Sequence, residues 1–190
     1  MHTTEQQLNL IKNKVNEIVN TKQLETKPKI IAVTKTFSLD KIIPLLKAGH
    51  IHFGENKIQE AENKWINTKN KYKEVKLHML GKLQTNKAKK AVKLFDYIHS
   101  LDNIKLATKI SQYESELNKK IKLFIQVNVA RENQKSGILL DNLENFYNYC
   151  TKKLSLNIIG LMCLPPLNSD PTEYFELLEK KSKEFNFPDL

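Results

Sequence analysis

Glycine and proline are scarce, 5 and 6 among 190 residues, which excludes collagen-like, elastic and low-complexity chains. Cysteine is scarcer still. Cys150 and Cys163 stand in apolar company with no CxxC spacing and no histidine nearby, so neither a zinc knot nor a redox pair is indicated, no metal site is expected, and both read as buried thiols. No apolar run nears the roughly 18 residues of a membrane span; the longest, residues 30–33 and 158–164, are strand-sized. The first fifteen residues lack the basic start, apolar run and small-residue cleavage site of an export signal, so a cytoplasmic, membrane-free protein is expected. Arginine is almost missing. Arg131 stands alone among 31 basic residues, although the formal net charge is +10 and the pI about 9.4. An excess of cation attracts polyanions, but base readout and bidentate phosphate clamps favour the arginine fork. Specific nucleic-acid binding is therefore not expected.

The chain is 40% apolar and 27% charged, the composition of a folded globular protein, and its length suits one domain over residues 1–190. Leu8, Ile11, Val15 and Ile18 fall at steps of three and four, which predicts an opening helix facing a core, capped by Thr4 with Gln7 three residues on. Residues 29–35 then form a β-branched run of the kind buried on both faces in a parallel sheet. A helix follows, started by Ser38 and Asp40 and stopped at Gly49, with Pro44 expected to kink or shorten it. The alternation repeats: strand 50–56 and a helix with Ile58, Ala61 and Trp65 inward; strand 76–80 and helix 86–95; strand 97–101 and helix 104–117. Strand 121–129 precedes a helix with Leu140, Leu143 and Tyr147 inward, and strand 156–164 precedes helix 174–185. Six strand-helix units without a hairpin signal predict a parallel α/β sheet, either doubly wound or a (β/α)₈ barrel. No GxGxxG or GxxxxGK[ST] follows the first strand, which favours the barrel.

In both architectures ligands bind at the carboxyl ends of strands. Those ends present Lys35, then Gly54-Glu55-Asn56, then His78 leading to Gly81 and Gln84, then Asn128 ahead of Lys135-Ser136-Gly137, then Met162, and they are expected to converge on one mouth. An ammonium at the end of an apolar strand is partly desolvated, which frees the amine to attack an aldehyde. Against this stands a chain crowded with lysines, most of which only solvate a surface. Glu55 could orient a neighbouring amine and Asn56 bond a ring or hydroxyl, although Gly-Glu-Asn is also an ordinary strand-to-helix turn. His78 reads as an acid/base group, a stacking platform or a satisfied structural histidine. Lys82, Lys87, Lys89, Lys90 and Lys93 alternate with Ala88, Ala91 and Val92, as a solvated helix face does.

Taken in order, several segments resemble the pyridoxal phosphate homeostasis protein family, small proteins of the alanine-racemase-like barrel class. They are Ala32-Val33-Thr34-Lys35-Thr36; Ala48-Gly49 with His52-Phe53-Gly54-Glu55-Asn56 and Gln59-Glu60; and His78-Met79-Leu80-Gly81-Lys82-Leu83-Gln84-Thr85-Asn86-Lys87. His99-Ser100-Leu101-Asp102, Gln126-Val127-Asn128-Val129, Lys135-Ser136-Gly137-Ile138 and Gly160-Leu161-Met162 complete the series, so the likeness spans residues 30–166. The resemblance implies a TIM-barrel-like, fold-type III chain that carries pyridoxal 5'-phosphate as a Schiff base on Lys35. It places Asn56, His78 and Met162 beside the cofactor, with Lys135 as a second lysine that accepts or relays the aldehyde. It further implies a cytoplasmic carrier and regulator of the vitamin B6 pool without robust turnover, a monomer that hands its cargo to pyridoxal phosphate-dependent apo-enzymes.

The family pattern continues past a point like Leu190 into two further segments, a Ser-Met-Gly-Met-Ser-like and an Arg-Ile-Gly-like strand that supply most of a phosphate cradle. Strands seven and eight are thus expected to be missing here, with open sheet edges and weak retention of the cofactor. A true racemase or decarboxylase of the same class is the alternative. It needs a second acid/base group, commonly brought by an additional domain. A basic nucleic-acid-binding module is the distant alternative, and it would show salt-sensitive retention independent of Lys35.

Overall fold

A computed structural model describes residues 3–132 and 136–189. Six parallel strands follow one another in chain order, β1-β2-β3-β4-β5-β6, with a helical segment after each. The predicted parallel α/β alternation is therefore present. The chain forms two compact units, Met1–Leu77 and His78–Leu190.

In the first unit, helix α1 spans Thr4–Thr21. Its cap is Thr3 rather than Thr4: the Thr3 hydroxyl accepts the Gln6 amide at 3.2 Å and the Gln6 side chain accepts the Thr3 amide at 2.9 Å. Both Thr3/Gln6 and Thr4/Gln7 satisfy the capping-box spacing, so the pattern alone left the start one residue ambiguous. The apolar stripe is only partly covered; Leu8 is buried, whereas Ile11 and Ile18 are exposed. Strand β1 is Ala32–Val33, much shorter than the predicted seven-residue run, and it is an edge of the sheet. Only Ala32 and Val33 take ladder partners on the neighbouring strand, and from Thr34 the chain enters a turn closed by the Phe37 amide. Val33 is 43% exposed instead of buried on both faces.

Strand β2, His52–Glu55, pairs with β1 in the register Ala32↔Phe53 and Val33↔Gly54. Between them lies α2, Leu39–Lys47, which buries Ile42, Leu45 and Leu46. Ser38 stands at its N-cap, but its hydroxyl donates to the Asp40 carboxylate and caps no amide. Pro44 sits within this nine-residue helix, and the chain turns out at Gly49, whose φ of +75° is a conformation that favours glycine. Helix α3, Ile58–Lys71, buries Ile58, Ala61 and Trp65 as predicted, and also Lys64.

Strand β3, Lys76–Met79, leads into the second unit and pairs with β4, Tyr97–Leu101, in the register His78↔Tyr97 and Met79↔Ile98. The helix predicted over residues 86–95 opens as a 3₁₀ turn, Thr85–Lys87, and continues as α4, Ala88–Leu94. The lysine-bearing side of this segment is exposed, as expected of a solvated face. Helix α5, Ile104–Glu116, leads to β5, Lys122–Val127. Buried Glu114 closes that connection: it accepts the Ile121 amide at 2.7 Å and the Lys120 ammonium at 2.8 Å. Helix α6, Leu143–Asn148, buries Leu143 and Phe146, not the predicted Tyr147. A 3₁₀ turn at Leu140–Asn142 before it and a π-helical turn at Tyr149–Lys153 after it rotate the face away from straight 3.6-residue spacing.

Strand β6, Ile158–Cys163, precedes α7, Thr172–Glu184. Cys150 and Cys163 are free and buried, and burial pushes the Cys150 thiol up to about 12. Beyond α7, Asp189 bridges Gly160 in parallel fashion and its amide donates to the Ile159 carbonyl at 3.1 Å. A Cβ at Gly160 would lie 2.2 Å from the Asp189 carbonyl oxygen, so only glycine admits this approach. No helix among the described residues is long and apolar enough to cross a membrane.

Candidate functional site

Lys35 stands two residues past the end of β1, in a β-turn closed by the Phe37 amide donating to the Thr34 carbonyl at 3.2 Å. Its side chain is exposed, contrary to the partial desolvation expected of it, because β1 ends two residues earlier at the sheet edge. It makes no hydrogen bond or ion pair with a described residue. The next residue, Thr36, has a φ of +65°, where a β-branched side chain costs about 1–3 kcal/mol. That conformation is held from α3. The Glu60 carboxylate accepts the Thr36 amide at 2.5 Å, and the Lys64 ammonium donates to the carbonyls of Thr34 at 2.7 Å and Phe37 at 3.3 Å.

Lys64 is itself enclosed by carboxylates, with Glu55 at 2.7 Å and Glu60 at 2.8 Å. The hydrogen bond from Lys64, helped by the Thr36 amide, keeps the Glu60 carboxyl below its ordinary range against a smaller effect of burial. Glu55 is fully buried. Its Oε1 accepts from the Thr34 hydroxyl at 2.7 Å and the Trp65 indole at 2.9 Å as well as from Lys64. Glu55 does orient an amine, as its position suggested, but that amine is Lys64. Asn56 is half-buried and stands two residues past Gly54, the register partner of Val33, while Lys35 stands two past Val33. Both candidates thus lie just past the paired ends of adjacent strands, Lys35 in the turn after β1 and Asn56 directly after β2.

In the second unit His78 is buried. Its Nδ1 lies 2.9 Å from Nε2 of His99, and its ring stacks on Tyr97 at a centroid distance of 4.2 Å. His99 stacks in turn on Phe124 at 4.1 Å. Burial drives the His99 imidazole down to about 4, opposed only in part by Asp189. His78 is therefore a bonded member of an aromatic ladder, with its ring stacked on Tyr97. Met162 on β6 packs against the cluster that Tyr97 and Phe124 of this ladder form with Ile159.

Asn128 closes its own loop, accepting the Glu132 amide at 3.2 Å and donating to the Glu132 carbonyl at 2.9 Å. Lys135 lies outside the described residues. Among the described residues no group of three His, Cys, Asp or Glu could hold a metal ion.

Sequence reasoning missed Lys64. The available signal was the Glu60/Lys64 spacing of four, together with the place of Lys64 beside Ala61 and Trp65 on the buried face of α3.

Residues 7–184 match the family described as alanine racemase, N-terminal domain. Over 156 residues the chain is 36% identical to the pyridoxal phosphate homeostasis protein of Synechocystis, covering 82% of this chain and 70% of that protein. It is 29% identical to that of Escherichia coli over 161 residues, covering 82% and 67%. Among solved structures, PipY of Synechococcus elongatus with PLP bound superimposes with a TM-score of 0.73 at 30% identity over 90% of this chain and 82% of that one. An alanine racemase of Clostridium difficile, at 13% identity and a TM-score of 0.66, shares the fold. The lysine turn after β1, the Glu55-Asn56 step after β2 and these likenesses lead to one assignment: the chain belongs to the pyridoxal phosphate homeostasis protein family.

Proposed function

We propose that this protein binds pyridoxal 5'-phosphate covalently through Lys35 and serves vitamin B6 homeostasis as a carrier without robust turnover. When bound, that compound supplies an aldehyde, which exchanges its oxygen, as water, for the nitrogen of a primary amine, reversibly and without oxidant or reductant. The donor set present fits such a group. Lys35 offers a primary amine with no competing partner among the described residues, and Asn56, just past the end of the adjacent strand, offers an amide able to give and accept hydrogen bonds. The observation that carries the reading is this lysine at the carboxyl end of β1 in a chain 36% identical to a pyridoxal phosphate homeostasis protein. The same reading extends to Lys135 as a second amine, to His78 and Met162 as ring contacts, and to a cytoplasmic monomer that passes its cargo to apo-enzymes and has no nucleic-acid partner.

The test is to add pyridoxal phosphate, reduce with borohydride and map the modified lysine by peptide mass. Modification of Lys35, absent in Lys35→Ala, is expected, and an unmodified Lys35 beside other labelled lysines refutes the assignment. A panel of amino acids assayed for racemisation and decarboxylation should show no substantial rate; a substantial one identifies an enzyme instead.

A further inference from the structure

A buried ammonium is costly unless its surroundings are arranged for it, and the surroundings of Lys64 are arranged around one turn. Its Nζ reaches the Thr34 and Phe37 carbonyls, the first and last residues of the turn whose central residues are Lys35 and Thr36. The carboxylate paired with it, Glu60, takes the Thr36 amide. Two side chains of α3 thereby hold three backbone groups of a segment only four residues long, and they hold it with Thr36 in the left-handed region. Glu55, anchored by Trp65 and Thr34, fixes the ammonium from the sheet side. Neither Lys64 nor Glu60 follows a strand directly, so neither belongs to the set of strand-end candidates.

We propose that Lys64, with Glu60, is a positioning residue for Lys35: it sets the backbone from which the amine projects and so governs covalent capture of an aldehyde there without touching it. This rests on the assignment of Lys35 given above. A group that merely stabilises the fold would lower the melting temperature and leave the capture chemistry of the folded fraction unchanged. A positioning group alters that chemistry in protein that remains folded.

The experiment compares the full-length wild type with Lys64→Met, Glu60→Gln and Lys120→Met, the last being a lysine bonded at the α5–β5 connection. Circular dichroism establishes folding. Hydrogen exchange over residues 34–38 is followed without ligand, and pyridoxal phosphate titrations are trapped with borohydride and quantified at Lys35. Lys64→Met should speed exchange in this segment and weaken Lys35 occupancy about tenfold. Glu60→Gln, which retains an acceptor for the Thr36 amide, should do the same to a lesser degree and serves if Lys64→Met does not fold. Lys120→Met should change neither. Wild-type exchange over 34–38 in the folded variants, or unaltered occupancy of Lys35, overturns the inference alone. A wild-type protein unmodified at Lys35 overturns the functional assignment and the ligand half of this inference with it.

Discussion

Replacing Glu55 with alanine removes the acceptor on which three donors of the first unit converge, and the cost follows from where each donor is left. The Trp65 side chain is fully buried and its indole N–H loses its partner, a penalty of about 1–3 kcal/mol. Lys64 loses one of two carboxylates. Stripping a buried charge of its partner costs about 3–5 kcal/mol, but Glu60 and the Thr34 and Phe37 carbonyls remain, which reduces this to about 2 kcal/mol. The Thr34 hydroxyl keeps the Gly54 carbonyl at 3.3 Å and adds little. The total is about 4 kcal/mol, a large share of the roughly 5–15 kcal/mol by which domains are stable. At a urea slope of about 2 kcal/mol per molar, the unfolding midpoint of the variant should fall by about 2 M. Trp65 is the only tryptophan, so its emission reports both the native environment of the network and its unfolding. Glu55→Gln retains an oxygen for the indole and loses the charge, and should fall between wild type and alanine. A Glu55→Ala protein that unfolds within about 0.5 kcal/mol of wild type with native emission unchanged would refute the reasoning, because surface substitutions have effects of that size.

Glu114→Ala should cost about 2–3 kcal/mol in urea unfolding, since it orphans the buried Ile121 amide, whereas Lys120→Met, which removes only the exposed partner, should cost under about 1 kcal/mol. Equal costs would contradict this division. Burial pushes the folded His99 imidazole down to about 4 from the 6.5 of the free group. Between those values the unfolded chain binds the proton more readily, so this contribution is intact above pH 6.5 and is lost as pH falls toward 4. The loss at full titration is about 3 kcal/mol, and His99→Phe should flatten the pH dependence of stability over that window. An unchanged slope would assign the acid sensitivity to other groups.

Elements whose environment is uniform could be read from residues alone. Tyr97–Leu101 is buried along its whole length, so the strand read from the residues and the observed one coincide, and the Ile58, Ala61, Trp65 stripe faces one side because α3 is regular. What could not be read depends on neighbours distant in sequence. The length of β1 follows its pairing with β2 and the turn entered at Thr34, which a run of β-branched residues does not carry. The state of His78 depends on His99, which comes beside it only through the β3–β4 pairing. For Lys64 the local pattern offers only its place on the buried stripe of α3 near Glu60, and the β1–α2 turn folded against α3 is what reveals the carbonyls that hold it.

That turn bears on how one amine is chosen in a chain with 31 basic residues, of which Arg131 alone is arginine. Exposure cannot make the choice, because Lys35 shares it with many lysines. Lys64 and Lys120 are withdrawn from competition by bonds to carbonyls and carboxylates. In the proposed assignment, what distinguishes Lys35 from the other exposed amines is its backbone, held in the turn past the carboxyl end of β1 by Lys64 and Glu60. If Lys35 carries the cofactor as proposed, selectivity belongs to the fold and not to the amine. At limiting pyridoxal phosphate the native protein should be trapped by borohydride at Lys35 before other lysines, and in denaturing urea the label should spread over the lysines with no preference. Persistence of the Lys35 preference in the unfolded chain would place its cause in the local sequence and remove the turn from the explanation.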